Sequence, residues 1–397
     1  MSRHAIVSGG SIGGLFAAAA LRARGWTVEI FERSEVELSG RGAGIVTHAP
    51  LVAALDAVGA GTADLGVAVE ERVAFGLTGE AIATLRLPQV VTSWDRIHGL
   101  LRAITPEASH HLNRHVTGYD DGADGVVVWL ADGRRFEADL LVGADGFRSA
   151  IRGQMQPGVQ PIYSGYVVWR ALAHESALPD ELRQTIFPHF GFFAPAGTQI
   201  IGYPIAGPDN DLRPGHRRYN FVWYGQVAAG DLAGMLTDAS GHRHAISIPP
   251  PLIRDEVLAR MRADAERRLP RPFVEILDHS ERPFFTPIYD HHAPVFGAGR
   301  VALSGDAACV ARPHVGMGVT KAAADALELA EALTREADIP AALAAYSRVR
   351  APAALKAMER ARQLGRYIFR ADQATDPDGR ANPHLEEVMA TTATVVA

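Results

Sequence analysis

Within the first 32 residues a glycine-rich turn separates two short apolar runs that suit buried strands, and this order constrains the chain more than any other feature it has. Ala5 to Ser8 is apolar, GGSIGG follows, Leu15 to Arg24 is rich in Ala and Leu, and Thr27 to Phe31 is a second apolar run ending at Glu32. Short apolar runs suit strands buried on both faces of a parallel sheet, and the Ala- and Leu-rich stretch suits a helix. The result is a βαβ unit whose glycines form the strand-to-helix turn. There the backbone can approach a pyrophosphate, and the helix N-terminus offers unpaired N–H groups and partial positive charge. Glu32 stands about 20 residues further on, where an acid accepts hydrogen bonds from a ribose 2′-OH. The fit to G-x-G-x-x-G runs through Gly9, Ser11 and Gly14, with Gly10 and Gly13 beside them. Serine in the middle place departs from the pattern. An ordinary tight turn in an α/β protein is the plain alternative.

Two later segments end a strand in a carboxylate. ADLLVGADGFRSAIR sets Asp145 and Gly146 after Leu140 to Val142, with Ser149 and Arg152 opening the next element. GRVALSGDAACVARPHVGMG sets Gly305 and Asp306 after a strand, then Pro313, then Gly316, Met317 and Gly318 entering a helix. Open α/β sheets bind ligands at the carboxyl ends of their strands. From about Tyr163 to Tyr224 the pattern turns β-like (YVVWRALA, QIIGYPIAG, RYNFVWYGQV), broken by the loop GPDNDLRPGHRR, and Val257 to Leu269 reads as a helix. ADQATDPDGRANP reads as an irregular tail.

A chain of 397 residues with 47% hydrophobic and 21% charged residues is long enough for two domains. A formal net charge of −6 without a basic stripe argues against nucleic acid. No apolar run approaches the roughly 20 residues of a membrane span, and the N-terminus enters a strand directly. With a single cysteine, Cys309, these features predict a cytoplasmic protein without disulfides. The 16 histidines form no ligand cluster, so no metal is expected.

In order and spacing, the Gly-rich turn, the D-G-x-x-S-x-x-R segment and the G-D-A-A-x-x-x-x-P-x-x-G-x-G segment resemble the FAD-dependent aromatic hydroxylases of the p-hydroxybenzoate hydroxylase type. GGSIGG, YSGYVVWRAL, GYPIAG and RPHVGMG are similar to the 2,6-dihydroxypyridine 3-hydroxylase branch, which shares the serine. The resemblance runs from Ala5 to about Arg350. It implies an α/β fold in which a Rossmann-like FAD-binding domain (1–72, 92–162 and 284–370) carries an inserted β-sheet substrate domain (73–91 and 163–283), with 371–397 as a tail. It also implies non-covalent FAD, NADH or NADPH as a transient co-substrate, and O2. The ring hydroxylated, through a flavin C4a-hydroperoxide, would be a small electron-rich one, hydroxypyridine-like; a homodimer is compatible with the family.

Carried over by residue, Gly9, Gly10, Ser11, Gly13 and Gly14 would line the pyrophosphate, Glu32 would hold the adenosine ribose, Arg33 would lie beside adenine and Arg96 would reach the flavin side. Asp145 would serve FAD and the approach of NAD(P)H, and Asp306 the ribitol chain. Pro313 and Gly316 to Gly318 would meet the flavin edge at N1, where a helix N-terminus favours an anionic reduced ring. His48 and Tyr203 would assist deprotonation of a ring hydroxyl. Tyr224, His314 and Trp169 would contact the ring, with Trp223 beside them, and Arg170 would point instead to a carboxylated ring. Flavin halogenases share the architecture but use a lysine in their N-terminal half, and this chain has none before Lys321. A hydroxylase of larger polycyclic or polyketide rings and a reductase of the same fold remain the alternatives. A prenylated-GTPase carrier would leave Asp145 and Asp306 without a task.

Overall fold

In the computed structural model, which describes residues 3–38, 44–195, 197–369 and 385–395, the strand His4–Ser8 is the centre of a six-stranded sheet. It pairs in parallel with Thr27–Phe31 on one side and Leu140–Gly143 on the other, and Val301–Leu303 follows Leu140–Gly143. Ala5, Ile6, Val7 and Leu140 to Val142 are wholly buried, as expected of strands covered on both faces. The register sets Ser8 opposite both Phe31 and Gly143, and Gly143 opposite Leu303. Gly9, Glu32, Asp145 and the Gly305–Asp306 turn therefore emerge along one edge of the sheet. The helices Ile12–Arg22 and Gly318–Arg335 pack against each other beside that edge.

The β-like segments fall in a nine-stranded sheet, ordered Cys309–Val310, Phe284–His292, Ile162–His174, Arg218–Gln226, Thr198–Ile205, Phe190–Phe193, Val67–Phe75, Ala81–Ser93 and Gly44–Val46. Val67–Phe75 crosses the expected boundary at residue 72 and belongs to this sheet over its whole length. The antiparallel sheet of Val116–Asp121, Val126–Leu130 and Arg135–Ala138 carries none of the motifs. The helix read at Val257 to Leu269 spans Asp255–Arg268.

Side chains alternate across the large sheet with the period of two that a strand imposes. Trp169, Phe221, Trp223 and Phe285 face outward onto the helices Asp255–Arg268 and Arg271–Asp278. Tyr166, Val168, Ile201, Tyr203, Val222 and Tyr224 face inward. The stretch ADQATDPDGRANP lies outside the described residues. Residues 385–395, read as tail, carry the helix Leu385–Thr391 instead. Leu385, Val388 and Met389 recur at helical spacing, form one apolar stripe and are buried on the inner face of the sheet. Among the described residues no helix is long and apolar enough to cross a membrane.

Candidate active site

The Gly-rich turn is closed as tightly as its sequence allows. Gly9 has φ +111°, and a Cβ there would sit 2.3 Å from the Ala144 carbonyl oxygen; one on Gly14 would sit 1.9 Å from the Gly9 oxygen. Only glycine fits either place. Ser11 is the N-cap of helix Ile12–Arg22, yet its hydroxyl makes no capping bond, which leaves it for a phosphate. The Glu32 carboxylate accepts from the Gly10 N–H (2.7 Å) and the Ser34 N–H (2.8 Å), so it is fixed at the mouth of a cavity of about 420 Å³. Ser11, Arg33, Arg114 and Asp145 also line that cavity.

The second motif caps a helix and ties two loops together. One Asp145 oxygen accepts from the Ala150 N–H (2.7 Å), and Ser149 Oγ accepts from the Arg152 N–H (2.9 Å), so both cap Ala150–Met155. Asp145 Oδ1 is buried with no hydrogen-bond partner among the described residues. Burial raises the Asp145 pKa, against the pull of Ser149 and the helix N–H groups. Arg152 is buried and donates to the carbonyls of Ala307 (3.0 Å) and Phe147 (2.8 Å), with His291 Nε2 at 3.0 Å. It thereby joins the Asp145 loop to the Asp306 loop.

The third motif is held from beneath. The Gly305 N–H donates to Asp325 (3.0 Å), Lys321 Nζ donates to the Gly305 oxygen (2.8 Å), and Asp325 is paired with both Lys321 (3.4 Å) and Arg350 (2.8 Å). This network fixes the turn that leaves Asp306 exposed at the ledge. Further on, Gly316 has φ +62° after Pro313–Val315, turning the chain into helix Gly318–Arg335, whose N-cap is Met317. Tight glycines, a helix N-terminus, the orphaned Asp145 oxygen and the carboxylate at the cavity mouth together fit an extended dinucleotide such as FAD. Arg96 is placed differently: its guanidinium donates to the Ala63 oxygen (2.8 Å) and lines a separate cavity of about 600 Å³ with His98 and Asp209.

Facing the Gly316 to Gly318 turn is the inner wall of the large sheet. Tyr203 stacks on Phe190 with ring centroids 4.7 Å apart, and burial pushes its hydroxyl up to about 12. Burial likewise raises Tyr224, whose ring lies 4.4 Å from His314. His314 Nδ1 donates to Gln199 Oε1 (3.1 Å) and Nε2 bonds the Tyr166 hydroxyl (2.9 Å); burial, then Arg312, pushes the imidazole down to about 3. His48 is buried, with Nδ1 on Thr320 Oγ1 (3.0 Å) and Nε2 on the Ala393 oxygen (3.2 Å), and burial lowers its pKa.

The structure thus brings His48, Tyr203, Tyr224 and His314 to one side of the sheet. It does not bring Trp169 there. Trp169 lies opposite Trp223 in register and against Phe285, on the outward face, because neighbouring residues of a strand point to opposite sides. Sequence reasoning passed over Gln199, whose amide nitrogen is buried without a partner among the described residues, and Asn220, whose side chain is hydrogen-bonded to Tyr203. Each is a lone amide inside an apolar run, TQIIGYPI or RYNFVWYG, and that isolation was the available signal. It also passed over Arg72 and Gln89.

Family models match in two places: one described as FAD binding domain-like over residues 163–290, and one described as FAD binding domain over residues 276–361. The 2,6-dihydroxypyridine 3-monooxygenase of Paenarthrobacter nicotinovorans is 33% identical over 342 residues, covering 86% of this chain and 85% of that protein. The aurachin C monooxygenase/isomerase of Stigmatella aurantiaca is 32% identical over 361 residues, covering 87% and 84%. The solved structure of 2,6-dihydroxypyridine-3-hydroxylase from Arthrobacter nicotinovorans matches with a TM-score of 0.87 at 31% identity, over 93% of both chains. HpxO of Klebsiella pneumoniae, solved with FAD and uric acid, shares the fold at a TM-score of 0.78 and 22% identity, over 98% of this chain and 93% of that one.

Proposed function

The chain belongs to the FAD-binding monooxygenase family, the aromatic hydroxylases of the p-hydroxybenzoate hydroxylase type, and we propose that its substrate is a small hydroxylated N-heteroaromatic ring of the hydroxypyridine kind. The balanced reaction is ring–H + O2 + NAD(P)H + H⁺ giving ring–OH + NAD(P)⁺ + H2O. FAD, when bound, carries the two electrons from NAD(P)H to O2 and makes one oxygen atom electrophilic.

The observation that carries the substrate reading is the buried, unpartnered amide donor Gln199 Nε2, set with Tyr203, Tyr224 and the Tyr203-bonded Asn220 on the inner wall. A buried donor without a partner costs roughly 1–3 kcal/mol. A ring bearing oxygens and a nitrogen satisfies such a donor and fills a flat aromatic wall, whereas an aliphatic chain leaves it unpaired. Tyr203 and Tyr224, kept protonated by burial, orient the ring as neutral hydroxyls. His48, kept neutral, is the group able to take a proton, at the Nδ1 that bonds Thr320 Oγ1. Gly9, Gly10, Ser11, Gly13 and Gly14 with the helix behind them would hold the pyrophosphate, Glu32 and Arg33 the adenosine, Asp145 and Asp306 the middle of the cofactor, and Gly316 to Gly318 its ring edge.

A carboxylated ring is the second reading. Arg170 favours it, since it lies on the inner face close enough to Tyr203 and Tyr224 to act on their charge and has no ion-pair partner among the described residues. Cytosolic residence, which the lone Cys309 suits, and a homodimer belong to the same proposal. The test is a screen of FAD-loaded enzyme for ring-stimulated NAD(P)H oxidation, with products identified by mass. Dihydroxypyridines gaining one oxygen support the first reading, and hydroxynicotinates or hydroxybenzoates turned over in their place support the second. Turnover of only polycyclic or aliphatic compounds refutes both.

A further inference from the structure

Arg72 is fully buried in the strand Val67–Phe75, yet no carboxylate pairs with it among the described residues. Its guanidinium lies over Phe190, 4.9 Å from the ring centroid, and its Nε bonds Gln89 Oε1 (3.1 Å). Nη2 donates to the same Gln89 oxygen, and the guanidinium also reaches the backbone that ends the helix Leu385–Thr391: the oxygens of Met389 (2.5 Å), Thr392 (2.7 Å) and Ala393 (3.4 Å). A cation at a helix C-terminus satisfies carbonyls that the helix leaves open.

Ala393 is where these contacts converge. Its carbonyl oxygen also accepts from Gln89 Nε2 (3.2 Å) and lies 3.2 Å from His48 Nε2, while its N–H donates to the His314 oxygen (2.8 Å). A Cβ on Gly316 would lie 2.8 Å from Ala393 Cβ, so the segment is seated directly on the turn that enters helix Gly318–Arg335. Ala393 itself is held at φ +53°, a left-handed conformation that costs a non-glycine residue roughly 1 kcal/mol and persists only where surrounding contacts fix it.

We propose that residues 389–394 are a strap belonging to the active site, and that Arg72 and Gln89 are positioning residues which hold the Ala393 carbonyl against His48 Nε2. Because a carbonyl can only accept, it obliges His48 to carry its proton on Nε2. Nδ1 is then left as the acceptor of the Thr320 hydroxyl and the sole site for an incoming proton. Burial under the strap is the main cause that holds His48 low; the bond to the Ala393 carbonyl acts against it by favouring the imidazolium, and the positive field of Arg72 disfavours that form. The strap therefore sets both the tautomer and the titration of His48. The link to catalysis rests on the proposed role of His48 in ring deprotonation, but the tautomer and titration do not.

The test is NMR of ring-labelled histidines in FAD-loaded protein, with His48 assigned through His48→Gln, alongside amide exchange over 385–395. In wild type, His48 should be the Nε2–H tautomer titrating below 6.5, with a protected Ala393 amide. Ala393→Pro cannot adopt a positive φ and lacks the N–H that bonds His314, so it should speed exchange of the neighbouring strap amides roughly tenfold or more. It should also move His48 up toward its ordinary value. Ala393→Gly, which adopts the same conformation freely, should leave His48 as in wild type. Gln89→Leu, which removes one donor from the carbonyl and leaves the strap sequence and the burial of His48 intact, should loosen the Ala393 bond that favours the imidazolium and shift His48 slightly further down. An unchanged tautomer and titration in both Ala393→Pro and Gln89→Leu would overturn the proposal and leave the hydroxylase reading standing. Failure of the wild type to take up FAD would overturn the hydroxylase reading, and the titration would then be read on the flavin-free protein.

Discussion

Acidification from pH 7 to pH 5 should cost this protein about 4 kcal/mol of stability through two buried histidines, and His314 shows how. Its folded value is pushed down to about 3 from 6.5, burial being the larger cause and Arg312 the lesser. The unfolded chain therefore takes up the proton first. Stability is fully present above the unfolded value and is lost progressively as pH falls toward the folded one. Between pH 7 and pH 5 that single difference amounts to about 1.9 kcal/mol. His291, pushed down to about 4 by burial and then by Arg152, adds about 1.8 kcal/mol in the same sense. The pair should thus remove about 4 kcal/mol, a large fraction of the 5–15 kcal/mol typical of a folded protein. His48, His98 and His110, all lowered by burial, act in the same direction. Asp145, raised by burial, acts in the opposite one. Asp290, held low by Arg362 and Arg312, loses its contribution only as pH falls through the carboxylate range, below this window. Urea unfolding of flavin-free protein by tryptophan fluorescence, at pH 7 and pH 5, measures the loss. His314→Gln keeps a hydrogen-bonding side chain between Tyr166 and Gln199 but cannot titrate, and it should shrink the loss by about 1.9 kcal/mol. An equal loss in wild type and variant would refute the reasoning.

Arg152→Met leaves the Ala307 and Phe147 carbonyls and His291 Nε2 without their donor, and should destabilise the protein by about 2–4 kcal/mol. It should also weaken FAD retention, as the Asp145 and Asp306 loops lose their tie; denaturation and equilibrium dialysis check the two effects. Trp169→Phe, by contrast, changes packing on the outward face of the large sheet. It should lower the melting temperature while leaving kcat and KM for the ring within about twofold, and a selective rise in KM would place Trp169 in the site after all.

The βαβ unit, the capping of Ala150–Met155 by the D-G-x-x-S segment and the helix entered at Gly318 were legible in sequence because each rests on contacts between near neighbours. A glycine that must bend, a serine that caps and an apolar run that must be buried announce themselves within a few residues. Three carboxylates at three strand ends also implied one ligand edge, since parallel strands align their carboxyl ends. Register is another matter. Trp169 and Tyr224 look equally suited to a planar ring on paper, and only the pairing of Val168 with Tyr224 and of Trp169 with Trp223 shows that the two aromatics face opposite ways. A one-residue difference in position decides it.

Long-range partners were equally hidden. Arg72 is separated from Ala393 by 321 residues and His48 by 345, and nothing in either neighbourhood marks them as meeting. Composition made residues near the C-terminus read as tail, although the stripe of Leu385, Val388 and Met389 was there to be seen. What the sequence determined by itself was the set of local conformations and the chemistry of the turns, because steric limits and hydrogen bonds act over a few residues. Which buried donor remains open toward a ring, and which carbonyl faces His48, depended on side chains from five separate segments meeting in space, and only tertiary packing brings those together.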